Sequence, residues 1–165
     1  MPEIEGGGIP VPSPAPSEQE AAAPGEILCE HVTLNALDGV WHLVEPMLKE
    51  AVNWSETTAK MEGIDDIFLK LKGGKYALWL CLRDGQVLAA IVLGVTEHSR
   101  CLVVDIHYGG GLELKHWIGP FCETIVDKSR NAGCRFIRVN GRKGWAAPLK
   151  KLGFTEAYVA FMREI

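Results

Sequence analysis

The chain has 165 residues, of which 47% are hydrophobic, 8% aromatic and 23% charged, as is usual for a single globular domain. No apolar run approaches the roughly 20 residues that cross a bilayer, and the N-terminus lacks the pattern of a signal or transit peptide, so we expect a cytoplasmic protein with no membrane partner. The net charge of −4 is unevenly divided, because all 17 Lys and Arg lie at Lys49 or later, where they face 13 acids.

The first 25 residues differ in composition from the rest. Six of the nine prolines precede residue 25, together with Gly6–Gly8 and a run of alanines. Such a stretch buries too little apolar surface to offset its ordering entropy. We therefore expect residues 1–25 to form a disordered acidic tail, either a solvated extension or a short peptide that binds a protein partner, and residues 26–165 to form the domain.

Cysteine and histidine spacing predicts no metal site. The five cysteines include no C-x-x-C pair, and the five histidines include no pair three or four residues apart. The odd number of cysteines argues against a disulfide framework, and the absence of a C-x-x-C pair argues against a zinc ribbon. We expect the cysteines to be reduced thiols.

The first third of the domain predicts one strand and two helices. Ile27–Leu34 is rich in β-formers, and Asp38 is suited to cap a helix with an apolar stripe. Pro46 is expected to kink or split that helix, since proline lacks an N–H donor. A second helix is expected over Thr57–Lys72, which ends at Gly73-Gly74.

Three strands of an antiparallel meander follow. Tyr76–Leu82 and Gln86–Val95 are β-branched or aromatic runs, and Asp84-Gly85 between them is a strong hairpin signal. Cys101–Tyr108 is the next strand.

The remainder predicts a crossover and a terminal strand. A glycine run precedes a helix over Glu113–Asn131, and the strand Arg135–Val139 should lie parallel to the earlier strand. A short helix over Trp145–Leu152 then leads to a strand or hairpin over Phe154–Ile165. The order β-α-α-β-β-β-α-β-α-β indicates an α+β fold with a central mixed, mostly antiparallel sheet flanked by helices.

This order of elements, with the segment Leu149–Phe154 (LKKLGF), resembles the GNAT acetyltransferase superfamily over residues 26–165. A closer likeness is to GNAT-like proteins of tailed bacteriophages and prophages, through Gly110-Gly111, Trp117 and Gly141–Trp145 (GRKGW). The resemblance implies an acetyl-CoA-dependent N-acyltransferase that acts on an amine-bearing substrate, located in the host cytoplasm if it is phage-encoded.

In the family, the end of the fourth strand lends its backbone to pantetheine, and the next loop binds pyrophosphate through N–H groups at a helix N-terminus. Arg142 could also bind a phosphate. The resemblance therefore implies a cofactor-binding set made of Val104, Ile106, Gly109, Gly110, Gly111, Leu112 and Arg142.

The catalytic residues implied by the family are replaced in this chain. The usual tyrosine acid and its preceding asparagine correspond to Leu149 and Arg142. Asp105, His107 and Tyr108 lie at the end of the fourth strand and are the substitutes, with Asp105 and His107 as bases and a neighbouring carboxylate raising the pKa of the histidine.

Two other functions stay open. The loop lacks the usual Arg or Gln, and Glu113 puts a carboxylate where a phosphate is expected, which favours a non-catalytic phage accessory or assembly protein that acts through protein contacts. From Arg130 onward eight bases face two acids, but the chain carries no nucleic-acid-binding motif, so that partner is disfavoured.

Overall fold

The computed structural model describes residues 25–165. The predicted tail lies outside this range apart from Gly25, whose N–H donates to the Asp84 carboxylate at 2.9 Å. The elements in chain order are β1 (Ile27–Val32), α1 (Leu34–Val52), α2 (Glu56–Met61), α3 (Ile64–Lys72), β2 (Tyr76–Arg83), β3 (Gln86–His98), β4 (Cys101–Gly111), α4 (Leu114–Asn131), β5 (Cys134–Val139) and α5 (Ala146–Lys151).

One five-stranded sheet organises the domain, and it confirms the predicted fold class. The strands lie in chain order, antiparallel from β1 to β4, and β5 is parallel to β4 as the crossover through α4 predicts. Helix α4 packs on one face with Trp117 and Phe121, whereas α1 and α3 pack on the other with Leu48 and Ile67. Each face thus has its own hydrophobic core.

The hairpin between β2 and β3 forms at the predicted dipeptide. Asp84 has φ 51° and Gly85 has φ 76°, so both central residues are left-handed. Turns of this kind match the right-handed twist of the flanking strands.

Helix α1 differs from its prediction at two residues. It begins at Leu34 with Thr33 as the N-cap, so Asp38 lies inside the helix and pairs with Lys72 instead of capping. Pro46 does not interrupt it. Pro46 and the preceding turn at His42 are exposed, so water can satisfy the carbonyl that loses its partner.

The single helix predicted over Thr57–Lys72 is two helices. Ser55 caps α2 by accepting a hydrogen bond from the Thr58 N–H, and Glu62 and Gly63 are extended. The Asp66 carboxylate accepts from the Gly63 N–H at 2.8 Å, which starts α3. A capping interaction in the middle of the segment therefore outweighs the continuous apolar stripe.

The triglycine segment is the end of β4 and not a loop. Gly109, Gly110 and Gly111 pair with Ile91, Ala90 and Ala89 of β3. A Cβ on Gly110 would lie 2.1 Å from the Met47 carbonyl oxygen, and a Cβ on Gly111 would lie 2.2 Å from that of Leu88. Because these residues have no side chains, α1 and β3 can lie close to β4. Strand β4 therefore continues through the three glycines.

Residues 154–165 form no strand, in contrast to the terminal strand expected there. The Phe154 N–H donates to the Leu149 carbonyl, and Phe154 packs on the core under α4. The segment then runs to α2, where Glu164 pairs with Lys60 at 2.8 Å. A groove of about 1140 Å³ lies between residues 153–160 and β5, and the segment does not pair with that strand.

No helix within residues 25–165 is long and apolar enough to cross a membrane.

The close approach at Gly110 predicts opposite effects for two glycine-to-alanine substitutions. Gly110→Ala forces its methyl group against backbone, so we expect a loss of about 1–3 kcal/mol in the free energy of unfolding. Gly39→Ala lies in α1 with open space around it, where alanine should add about 0.5–1 kcal/mol. Urea unfolding of both variants measures this, and equal midpoints for the two would contradict the packing described.

Candidate active site

The candidate site is a cleft where β4 separates from β5. The last pair between these strands is Ile106 with Val139, followed by a 3.5 Å contact from the Asn140 N–H to the Ile106 carbonyl. Strand β4 continues its pairing with β3 as far as Gly111. The edge of residues 107–111 on the β5 side therefore faces a gap in the sheet.

A cavity of about 280 Å³ fills this gap. One wall is formed by Trp54 and Ser55, which lie between α1 and α2, and by Thr58 of α2. The opposite wall follows β5 and includes Arg142 and Trp145. The Arg142 guanidinium lies 4.1 Å from the centre of the Trp54 ring, a cation–π contact that joins the two walls.

His107 lies at a β-bulge on the cavity wall. Val92 pairs with Tyr108 and Leu93 with Ile106, so His107 is an extra residue in β4. A bulge re-aims the side chains that follow it, and here it places Tyr108 on the same face as His107. The imidazole lies over Gly94 and 4.6 Å from the Tyr76 ring, measured between centroids.

Glu62 joins the two tyrosines beside His107. Its carboxylate accepts a hydrogen bond from the Tyr108 hydroxyl at 2.6 Å and from the Tyr76 hydroxyl at 3.4 Å, and it pairs with the Lys70 ammonium. Burial alone would raise the pKa of Glu62, but the hydrogen bonds from Lys70 and Tyr108 outweigh it and lower that pKa. Glu62 is therefore an ionised acceptor that orients Tyr108.

The pKa values of His107 and Tyr108 are shifted in opposite directions. Burial lowers the pKa of His107, and the opposing attraction of the Asp105 carboxylate does not reverse this. Burial and the Glu62 carboxylate raise the pKa of Tyr108. At neutral pH the cleft therefore presents a neutral imidazole and a protonated phenol.

Asp105 shares the face of His107 but lies outside the cavity. It is 1% exposed, and its oxygens accept hydrogen bonds from Arg138, at 3.0 Å for the Nη2 contact, and from the Thr96 hydroxyl. Burial would raise the pKa of Asp105, but the Arg138 and Thr96 hydrogen bonds lower it overall. A carboxylate held in this way is a weak base, and its charge acts on His107 only from a distance.

The residues expected to bind the cofactor separate into two groups. Ile106, Gly109 and Arg142 line the cavity. Val104 is fully buried and pairs with strands on both sides, so its backbone is not available.

The other members, Gly110, Gly111 and Leu112, lie beyond the cavity. The Leu112 N–H donates to the Leu88 carbonyl, and the Leu112 carbonyl accepts from the Trp117 indole. Trp145 covers Gly109, where an added Cβ would lie 2.5 Å from its ring. The triglycine segment therefore does not form a cradle for a diphosphate.

The sequence did not indicate Glu62, Tyr76 and Lys70, which surround His107 and Tyr108, because they come from different elements. Trp54 of the cavity wall was not indicated either, since it lies in a connection between helices. Glu62-Gly63 carried a usable signal, because a glycine followed by Asp66 can end one helix and start another. Among residues 25–165, no group of His, Cys, Asp or Glu is placed to hold a metal ion.

Solved structures of similar shape are acetyltransferases. Glucosamine-6-phosphate N-acetyltransferase from Arabidopsis thaliana aligns with a TM-score of 0.59 and 10% identity, over 84% of this chain and 98% of its own. A GCN5-related N-acetyltransferase from Ralstonia eutropha JMP134 aligns with a TM-score of 0.60 and 19% identity, over 85% and 99%. The chain has the GNAT acetyltransferase fold.

An aminoglycoside acetyltransferase, meta-AAC0020, from an uncultured soil metagenomic sample and in complex with sisomicin, has the same fold. It aligns with a TM-score of 0.61 and 13% identity, over 84% of this chain and 96% of its own. No protein-family model and no curated protein matches the sequence. At these identities the likeness establishes the GNAT fold alone.

The buried ion pair beside the cleft predicts a pH-dependent loss of stability. In Arg138→Gln the Asp105 carboxylate stays buried without its guanidinium, which should cost about 3 kcal/mol at pH 7. Because the folded-state pKa of Asp105 is lowered, this stabilisation is present above the unfolded pKa of about 3.9 and is lost as pH falls through the folded value.

Urea unfolding at pH 7 and pH 3 tests this expectation. The gap between wild type and Arg138→Gln should narrow at pH 3. Arg135→Gln is the matched control, since Arg135 lies against the exposed Phe136 ring on the same strand. A gap that is the same at both pH values would show that Asp105 is not the group involved.

Proposed function

We propose that the chain is an N-acyltransferase that works in the cleft between β4 and β5. The observation that carries the proposal is the placement of a neutral His107 on the wall of that cleft, beside a Tyr108 whose hydroxyl is held by Glu62. The fold of the acetyltransferases described above supports it.

Acyl transfer from a thioester to an amine needs a base that takes a proton from the amine and then gives it to the leaving thiolate. Neutral His107 accepts the proton that the attacking amine loses as its nitrogen bonds to the acyl carbon. The protonated imidazole then gives this proton to the leaving thiolate, which is favourable because a thiol has a pKa of about 8.5 and the pKa of His107 is lowered. Tyr108 stays protonated and donates its single hydroxyl proton to Glu62, so it positions the wall beside His107 and supplies no hydrogen bond to the reacting acyl group.

The cleft accounts for the binding of the thioester end of acetyl-CoA but not for the binding of its diphosphate. The donor supplies an acyl group activated as a thioester, and the cavity of about 280 Å³ admits such an end beside His107. Arg142 offers a cation at the cavity wall for an anionic part of the donor or acceptor. A diphosphate has no cradle at Gly109–Gly111, so its placement must differ from the pattern that the family implies.

The acceptor in this proposal is an amine, a choice supported by the aminoglycoside acetyltransferase of the same fold that was solved in complex with sisomicin. The proposal also includes a phage or prophage origin, a cytoplasmic location and a protein partner for the tail. They rest on the Gly110-Gly111, Trp117 and Gly141–Trp145 likeness and on composition.

A non-catalytic module on the same scaffold is the second function that an observation favours. The ring of Trp145 lies on Gly109 in the path along β4, and the Leu112 N–H is already hydrogen-bonded. Under this alternative acetyl-CoA does not bind, and the chain acts through protein contacts.

Calorimetric titration of the full chain with acetyl-CoA separates the two functions. The proposal expects binding, weakened about tenfold in Arg142→Ala because a charged hydrogen bond contributes about 1.5 kcal/mol. Lys143→Ala is the control, since Lys143 is the neighbouring cation and does not line the cavity. No binding at millimolar acetyl-CoA would overturn the acyltransferase proposal.

The pH dependence of turnover tests His107 as the base. With an amine acceptor, thiol release by the wild type should show an acidic limb from protonation of His107 that lies below the ordinary histidine pKa of about 6.5, because burial lowers the pKa of His107. His107→Gln should lower kcat by about a hundredfold or more and remove this limb, whereas the exposed His116→Gln should change neither. An unchanged limb in His107→Gln would exclude His107 from this role.

A further inference from the structure

Two cysteines face each other on the first two strands. Cys29 of β1 pairs directly with Cys81 of β2, and their sulfur atoms are 3.7 Å apart. Both side chains belong to the core under α4, where Cys81 is fully buried and Cys29 is partly exposed. Neither residue belongs to the cleft described above.

The backbone already has the span of a disulfide. Directly opposed residues of antiparallel strands have Cα atoms about 4.5–5.5 Å apart, within the range of about 4.4–6.8 Å that disulfides span. The sulfur atoms need to approach by roughly 1.7 Å to reach the S–S bond length. Rotation about the two Cα–Cβ bonds provides such a movement without displacing the strands.

The two thiols differ in acidity. The hydrogen bond from Cys81 lowers the pKa of Cys29, and a hydrogen bond with Thr124 lowers it further. Burial would raise this pKa, but its effect is smaller. The same bond and burial raise the pKa of Cys81. Cys29 is therefore the thiol that reacts first with an oxidant, because the thiolate is the nucleophile.

We propose that Cys29 and Cys81 form a redox site, which a peroxide converts reversibly into a cross-strand disulfide. The Cys29 thiolate attacks one peroxide oxygen, which forms a sulfenic acid and releases hydroxide. The Cys81 sulfur then attacks the Cys29 sulfur, and the hydroxyl group leaves as water with the Cys81 proton. Two thiols lose two electrons, and one hydrogen peroxide becomes two waters.

Cys122 of α4 provides the competing reaction. It is buried in the same core, and burial and the nearby Cys29 raise the pKa of Cys122 to about 11. A link between Cys81 and Cys122 would show that the pair is wrongly assigned, even though a disulfide had formed. Of the three neighbouring thiols, we therefore expect only Cys29 and Cys81 to become linked.

Peptide mapping of the oxidised full chain tests this assignment. Each cysteine lies alone in its own tryptic peptide, with Cys29 in residues 1–49 and Cys81 in residues 76–83. After brief equimolar hydrogen peroxide and alkylation, we expect residues 1–49 linked to residues 76–83, with Cys101 and Cys134 alkylated. Dithiothreitol should release the link and restore five alkylated thiols.

Two variants control the reaction. Cys29→Ser should abolish the link, whereas Cys101→Ser removes a partly exposed strand cysteine elsewhere and should leave it unchanged. The Cys29 thiol should disappear roughly tenfold faster than that of Cys134. A Cys81–Cys122 link, an intermolecular disulfide, or Cys29 stopping as a sulfinic acid would each overturn the proposal.

Discussion

Strand β4 continues along β3 for five residues beyond its last pair with β5, and the candidate site is built on that unequal pairing. Residues 108–111 stay paired with β3, while residues 107–109 line the cleft on the side where β5 has separated. The bulge at His107 lies at the point of separation and turns His107 and Tyr108 to the same face. A sheet that paired evenly would have neither the cavity nor these two side chains beside it.

The three glycines after Tyr108 serve close packing in this fold, whereas their sequence suggests a phosphate-binding loop. A glycine run before a helix is typical of a phosphate-binding loop. In this fold the same residues let the Met47 carbonyl of α1 and the Trp145 ring lie against the strand. The close packing narrows the cleft to about 280 Å³, which admits the reacting end of a thioester more readily than a nucleotide.

Local signals predicted most of the fold and little of the site. The Asp84-Gly85 turn, the apolar stripe of α4 and the crossover to β5 each depend on residues close together in sequence, so they could be read from it. The bulge depends on the register between β3 and β4, and the tyrosine acceptor Glu62 comes from the break between α2 and α3. The path of residues 154–165 involves contacts that are distant in sequence, such as that of Glu164 with Lys60 of α2.

The central claim is that the cleft between β4 and β5 receives an acyl thioester. An amide-resolved NMR titration of the full chain with acetyl-CoA tests this most directly, because it reports where the donor lies as well as whether it binds. We expect shifts concentrated at the Gly109 and Gly141 amides and the indoles of Trp54 and Trp145. Shifts confined to the outer edge of β5, or no shifts at saturating donor, would contradict it.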